Sequence, residues 1–434
     1  MNAAAAKSSA NPQASPPLPV WRDPAAWAKA ADIFAVLIAL SLPWSTSLVG
    51  IFSFIWLAAV APTLDFRLFL QSLKRPISAL PIALFALALF GTLWSDASWG
   101  ARLYAVGPVA KLLVLPFLFH HFERSARGMW VFIAFLVSCA LLMVMSWLVL
   151  IFPGFTLKGD DAYRGIFVKN YIDQSQEFAL CTVVLAYPVI MLLRQGKTWQ
   201  ALLLTTLAIS FVTNMTFVIV SRTALVTMPV MLAVFVLMHL KARTSAMLLS
   251  AAIALGALAW LASPQLQATT ERFTREYHAY KELNQVTSIG LRLEYWEKSL
   301  RFFAKAPILG HGTGSTMGLF EAAATGPATL VQSQVIGNPH NQTLNIAVQW
   351  GAIGVVILYA VWLVHLLLFR GEGLAAWIGL VVVLQNFFTS LFNSHLFDFH
   401  EGWMYVLGVG VTGGMALRAQ ASARAGPSAM RSKS

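Results

Sequence analysis

The chain has 434 residues, 58% of them hydrophobic and only 11% charged, with a mean hydropathy of +0.68. A soluble domain carries roughly a quarter charged residues, so the composition excludes an ordinary soluble enzyme and describes a polytopic membrane protein. The net charge of +12 does not make it a nucleic-acid binder, because the positive-inside rule accounts for most of the excess cations.

Residues 1–29 open the chain as a cytoplasmic tail, the first twenty being rich in Ala, Ser and Pro and expected to be disordered. Asp32 interrupts the approach to the first apolar run and no small-residue cleavage site follows. That run is therefore expected to be a retained span rather than a removed signal peptide. A helix needs about twenty apolar residues to cross a bilayer. Such runs fall near 31–45, 48–64, 76–94, 101–120, 127–151, 174–194, 199–217, 222–239, 244–262, 341–369, 373–392 and 401–418, which predicts about twelve spans. The first two are short, with Pro43 and Gly50 between them, as in tilted or broken helices. The expected layout is nine spans over 30–262, one large loop over 263–340, three spans over 341–418 and a cytoplasmic tail over 419–434. Cys139 and Cys181 both sit within apolar runs, which argues against a disulfide framework.

Charge sets the orientation. With the N-terminus inside, the inward gaps hold Arg67, Lys74, Arg75, Arg124, Arg127, Arg194, Lys197, Lys241, Arg243 and Arg370, and both tails are basic. The short gaps opposite are nearly bare, apart from Arg102, Arg222 and the loop 152–173. The long loop, with loops 152–173 and 393–400, is therefore expected to face outward. Within it the pattern predicts two helices, over 265–283 and 288–305. The second places Leu293, Trp296, Leu300 and Phe303 on one face at steps of three and four. Glu294 with Lys298, and Glu297 with Arg301, form i,i+4 pairs on the other. Ala306-Pro307 ends that helix, and Gly310-His311-Gly312-Thr313-Gly314 reads as a flexible turn.

A few polar residues on the outward side can carry chemistry. Arg222 is the only charged residue between Gln200 and Leu240. It reads either as a functional charge at the mouth of a span or as an arginine snorkelling to lipid phosphates. Arg292, four residues before Trp296, reads either as part of a solvated helix face or as a second guanidinium. Two such planar forks suit a diphosphate. Loop 152–173 adds Lys158, Arg164, Lys169 and Tyr171. His340 stands beside Pro339, which fits the first position of a helix with Asn338 as its cap. An imidazole there can take a proton from a hydroxyl, and the helix N-terminus disfavours its charged form. The alternative is a packing histidine. His311 reads as structural or mobile, and His120 and His121 fall on the inner side. His395, Asp398 and His400 lie in an outer loop that can line the same cavity. No metal site, phosphate-binding glycine loop, dinucleotide fingerprint or serine nucleophile elbow is legible.

Ser221-Arg222-Thr223-Ala224, the Arg292…Trp296 segment, the glycine turn 310–314, and Pro339-His340-Asn341 followed by Leu344 and Gly351…Gly354 resemble the O-antigen ligase and polymerase superfamily, and most closely its ligases. The resemblance covers the span layout over residues 30–418, with the informative motifs between 221 and 354. It implies an all-α polytopic glycosyltransferase with a large helical periplasmic loop, similar to GT-C-type enzymes. Such an enzyme sits in the bacterial inner membrane among its lipids, with both termini cytoplasmic and the active site periplasmic. It moves a glycan from undecaprenyl diphosphate to a sugar hydroxyl of lipid A–core, inverting the anomeric centre without metal, cofactor or ATP. Carried onto this chain, His340 is the general base and Arg222 and Arg292 hold the diphosphate. Arg164, Lys169, Gly312, Asn341 and Asp398 are the expected substrate-binding residues. A polymerase differs only in its acceptor, another lipid-linked glycan. A transporter would share the span count, although the candidate residues collect at one face.

Overall fold

The protein is described by a computed structural model covering residues 23–157, 165–219, 221–328 and 330–431. Among these residues the secondary structure is helical, with a single isolated bridge between Gln285 and Leu330. The first half comprises α1 (Pro24–Ser41), α2 (Thr46–Val60), α3 (Phe66–Leu73), α4 (Pro76–Phe90), α5 (Trp99–Ala110), α6 (Leu115–Phe122), α7 (Gly128–Ile151), α8 (Tyr171–Arg194) and α9 (Thr198–Phe217). Then follow α10 (Arg222–His239), α11 (Ala242–Ala262), α12 (Pro264–Leu283), α13 (Ser288–Lys305), α14 (Thr316–Ala322), α15 (Gln342–Leu368), α16 (Leu374–Thr389) and α17 (Phe399–Arg431).

Each predicted apolar run falls on a helix, but fewer than twelve are long and apolar enough to cross a membrane alone. Eight described helices or helix pairs meet that test, and a ninth if α3 and α4, bent by 75° at their junction, form one broken span. The apolar part of α10 and all of α16 are shorter. The protein is an all-helical, polytopic membrane protein. Residues 1–20, expected to be disordered, lie outside the described residues, and α1 begins at Pro24, within the expected tail 1–29.

The core forms where α17 threads the bundle. Its residues 401–414 are buried on all sides, as expected of a helix with no polar stripe. Gly408 lies against Val382 of α16, and Gly410, Gly413 and Gly414 lie against Leu118, Phe119 and Phe122 of α6, too close for a Cβ. Small residues at these contacts let the backbones approach where lipid supplies no hydrophobic drive. At the opposite extreme, α11 is almost wholly exposed along its apolar length.

Two expectations for the loop region change. In α13 the buried side carries Glu294, Tyr295, Lys298, Ser299 and Phe302, whereas Leu300 is exposed. Tyr295 and Phe302 clasp Phe320 edge-on, and Val348 of α15 completes this cluster. The Glu294–Lys298 pair is therefore interior, and Lys298 Nζ donates to Gln332 O at 2.6 Å. Only Glu297 and Arg301 form the exposed pair expected.

The glycine turn, expected to be flexible, is wedged against α15. That helix breaks at Gly351 (φ 60°, ψ −157°), and the turn supplies donors to carbonyls beside the break. His311 N and Gly312 N donate to Val348 O and Gln349 O at 2.9 and 2.8 Å. Gly314 N donates to Gln349 Oε1 at 2.8 Å. The Thr313 hydroxyl donates to Ala88 O of α4 at 2.6 Å and accepts the Trp350 indole N–H at 2.8 Å. Buried backbone groups must find partners, and the turn satisfies those that the break exposes.

Candidate functional site

The site forms where the loops before α15 and α17 meet at one end of the bundle, beside α13. Helix α15 starts at Gln342, not at Pro339, and its cap is Asn341 rather than Asn338. Asn341 Oδ1 accepts from Leu344 N at 3.0 Å, while its Nδ2 donates to Leu391 O at 3.0 Å. That displacement leaves His340 outside the helix, in the left-handed region at φ 53°. Non-glycine residues rarely adopt this conformation. Asn338 holds the bend by accepting from His340 N at 3.0 Å and from the Ser394 hydroxyl at 2.7 Å.

The imidazole is half-buried, and Nδ1 lies 2.8 Å from Asn393 Oδ1. Asn393 Nδ2 donates to Asp398 Oδ2 at 2.8 Å. An ionised carboxylate only accepts, so the amide must turn its N–H₂ to Asp398 and its oxygen to His340. Nδ1 then carries the proton. Nε2 keeps its lone pair, and no described residue bonds it. Burial lowers the His340 pKa below the ordinary imidazole value; the Asn393 bond opposes that shift and the Arg292 charge adds to it. Tyr295 of α13 packs its ring beside the imidazole, with centroids 6.4 Å apart.

Asp398 is pushed up to about 6 by burial, against the pull of the Lys111 ammonium. Lys111 donates to the backbone oxygens of Phe397 and Asp398, pinning the loop from α5's end. His395 is 1% exposed, has no hydrogen bond on either ring nitrogen, and is held down to about 4 chiefly by burial. His395, Asp398 and Glu401 bring one ligating atom each within 4.8 Å of one another, so they could hold a metal ion. Their regular spacing, His395-x-x-Asp398-x-x-Glu401, was available in the sequence as a signal. Lys111 already places a positive charge against both carboxylates.

The expected residues thus separate. His340 and Asp398 join one hydrogen-bonded chain, and Arg292 lies close enough for its charge to act on both His340 and His395. Asn341 sits at the same loop as its helix cap. Gly312 (φ 86°) packs against the Ser95 backbone, where a Cβ would collide. The Lys169 ammonium is buried, donating to Leu42 O and facing Glu177 at 3.6 Å. Arg222 is the first residue of α10, capped at Ser221, and its side chain lies outside the described portion. Arg164 and Lys158 also lie outside the described residues. Sequence reasoning missed Asn393 and Ser394, since a lone asparagine or serine in a loop carries no distinguishing spacing, and it gave Asn338 as a helix cap rather than as the residue that holds the His340 bend.

The comparisons with known proteins give one family. Residues 207–359 match the family model described as O-Antigen ligase, and no curated protein matches the chain. The matched stretch begins within α9 and ends within α15, so Arg222, Arg292, the glycine wedge and His340 fall inside it, while Asn393 and Asp398 lie beyond. Through those residues the chain is similar to the O-antigen ligase family over about a third of its length.

Proposed function

We propose that the chain transfers O-antigen polysaccharide from undecaprenyl diphosphate to lipid A–core, at the periplasmic face of the bacterial inner membrane. The observation that supports this reading is the His340 geometry within a family-matched stretch: Nδ1 is tied to Asn393, and no described residue bonds the basic Nε2. Nε2 takes the proton of an acceptor sugar hydroxyl as its oxygen bonds to the donor's anomeric carbon. The carbon–oxygen bond to the diphosphate breaks on the opposite side, which inverts the centre. Arg222 and Arg292 hold the departing diphosphate. Guanidiniums fit phosphate oxygens in pairs, and charge held in place lowers the barrier without reorganisation.

In this reading Asn393 and Asp398 position the base, and Asn341 fixes the start of α15. Arg164 belongs to the outward loop that meets the glycan. Purified protein supplied with the lipid-linked donor should glycosylate lipid A–core. Exclusive use of a second lipid-linked glycan as acceptor would make the protein a polymerase instead. Failure with both acceptors would remove the transferase reading.

A further inference from the structure

At the same end of the bundle, a second pocket of about 280 Å³ opens between the α1–α2 turn and the starts of α8 and α17. Trp44, Thr46, Asn170, Asp173 and His400 line it. We propose that it binds a sugar ring of one of the two glycan substrates, away from the bond being made.

The Trp44 indole is locked by its edge. Nε1 donates to the Ser138 hydroxyl at 2.7 Å, and that hydroxyl donates onward to Leu40 O at 2.6 Å. Phe167 packs edge-on against the same ring. An aromatic wall held this way meets the apolar C–H face of a pyranose with little loss of side-chain freedom. In the same lining, Asp173 accepts from His400 Nδ1 at 2.6 Å and from Asn170 Nδ2 at 2.9 Å, both on Oδ2. The carboxylate is thereby fixed, and no described residue donates a hydrogen bond to its other oxygen. Asp173 is only 8% exposed, and His400 Nε2 is buried with no hydrogen-bond partner. The exposed Thr46 hydroxyl adds a donor and acceptor at the rim.

An apolar wall with a few fixed polar groups is the pattern of a small-molecule subsite. These groups alternate apolar and hydroxyl-binding surfaces, as a sugar does. The pocket also lies near the reacting centre. Buried His395 feels the charges of Asp173, Arg292 and His340 together. The loop 393–400 runs from one to the other, with Asn393 at His340 and His400 in the pocket, so a glycan reaching His340 has a second ring position within its span.

The test uses full-length protein in lipid nanodiscs. The probes are the water-soluble oligosaccharides freed from the donor and from the core acceptor. In saturation-transfer NMR, one of the two should receive magnetisation from wild-type protein. Trp44→Ala should lose most of that signal, Trp44→Phe should keep it, and Thr46→Trp should block it from the exposed rim without disturbing the core. This arm does not depend on turnover, so it survives failure of the transferase reading. In the kinetic arm, which rests on that reading, KM for the same glycan should rise about tenfold in Trp44→Ala, the size of a lost aromatic contact of about 1.4 kcal/mol. The kcat should change less than about threefold. Absence of signal from wild type with both oligosaccharides overturns the subsite. So does a fall in kcat at constant KM, or unchanged signals in both Trp44→Ala and Thr46→Trp.

Discussion

Replacing Asn393 by alanine tests the hydrogen-bonded chain behind the base most directly. The substitution removes the acceptor for His340 Nδ1–H and the donor to Asp398 at once, two contacts of 2.8 Å each. A neutral hydrogen bond contributes about 0.5–1.5 kcal/mol net, and one to a charged group about 1.5–3 kcal/mol. Only the first fixes the tautomer that leaves Nε2 basic, so a barrier increase of about 1.4 kcal/mol, or tenfold in kcat, is expected. The pH dependence adds a direction. His340 must be neutral to act, so activity falls as pH drops through its pKa. The Asn393 bond raises that pKa and the Arg292 charge lowers it. Asn393→Ala should therefore move the acid limb of kcat/KM to lower pH, and a charge-removing Arg292→Gln to higher pH. A merely structural asparagine would lower the amount of folded protein without moving the limb. The measurement is transfer from lipid-linked donor between pH 4 and 8, and an Asn393→Ala limb superimposed on wild type at full kcat refutes the chain.

The remaining predictions concern the base, the arginines, the wedge and the topology. His340→Ala should lower transfer by about 10²–10⁴-fold while donor lipid still binds, and His340→Gln should be nearly as poor; near-normal turnover by the glutamine variant would move the base elsewhere. Arg222→Ala and Arg292→Ala should abolish most activity, and Arg→Lys should recover little of it, since a point charge does not reproduce the fork. Wild-type rates in both alanine variants would remove the diphosphate clamp. Thr313→Val keeps the shape but strands the Trp350 indole and the Ala88 carbonyl, at about 1–3 kcal/mol for each. It should lower the melting temperature in detergent, and an unchanged melt would mean that the wedge does not bear on stability. An impermeant thiol reagent added outside should label Gln285→Cys but not Lys197→Cys, against a background of two buried native cysteines; labelling of Lys197→Cys would reverse the orientation.

Amino-acid order alone determined the helices. Apolar runs of near-span length must form helices in lipid, because every backbone group there needs an internal partner. The breaks at Pro264 and at Ala306-Pro307 bound α12 and α13 as the local residue types dictate. His340 and Arg292 were legible because a polar residue near lipid is costly and so stands out against its surroundings. Tertiary structure alone decided what each polar residue touches. Leu300 continues the apolar spacing of α13 yet faces out, since the position of α15 selects which side is buried, and that contact joins segments about fifty residues apart. The glycine turn has the composition of a mobile loop, yet it is fixed by carbonyls that a break in α15 leaves open. His340 reads as the first turn of a helix, yet Asn341 takes the cap and turns the imidazole toward Asn393, 53 residues away in the chain. Spacing along a chain reports neighbours within a turn or two of helix. The partners of this site come from separate helices, and only packing brings them together.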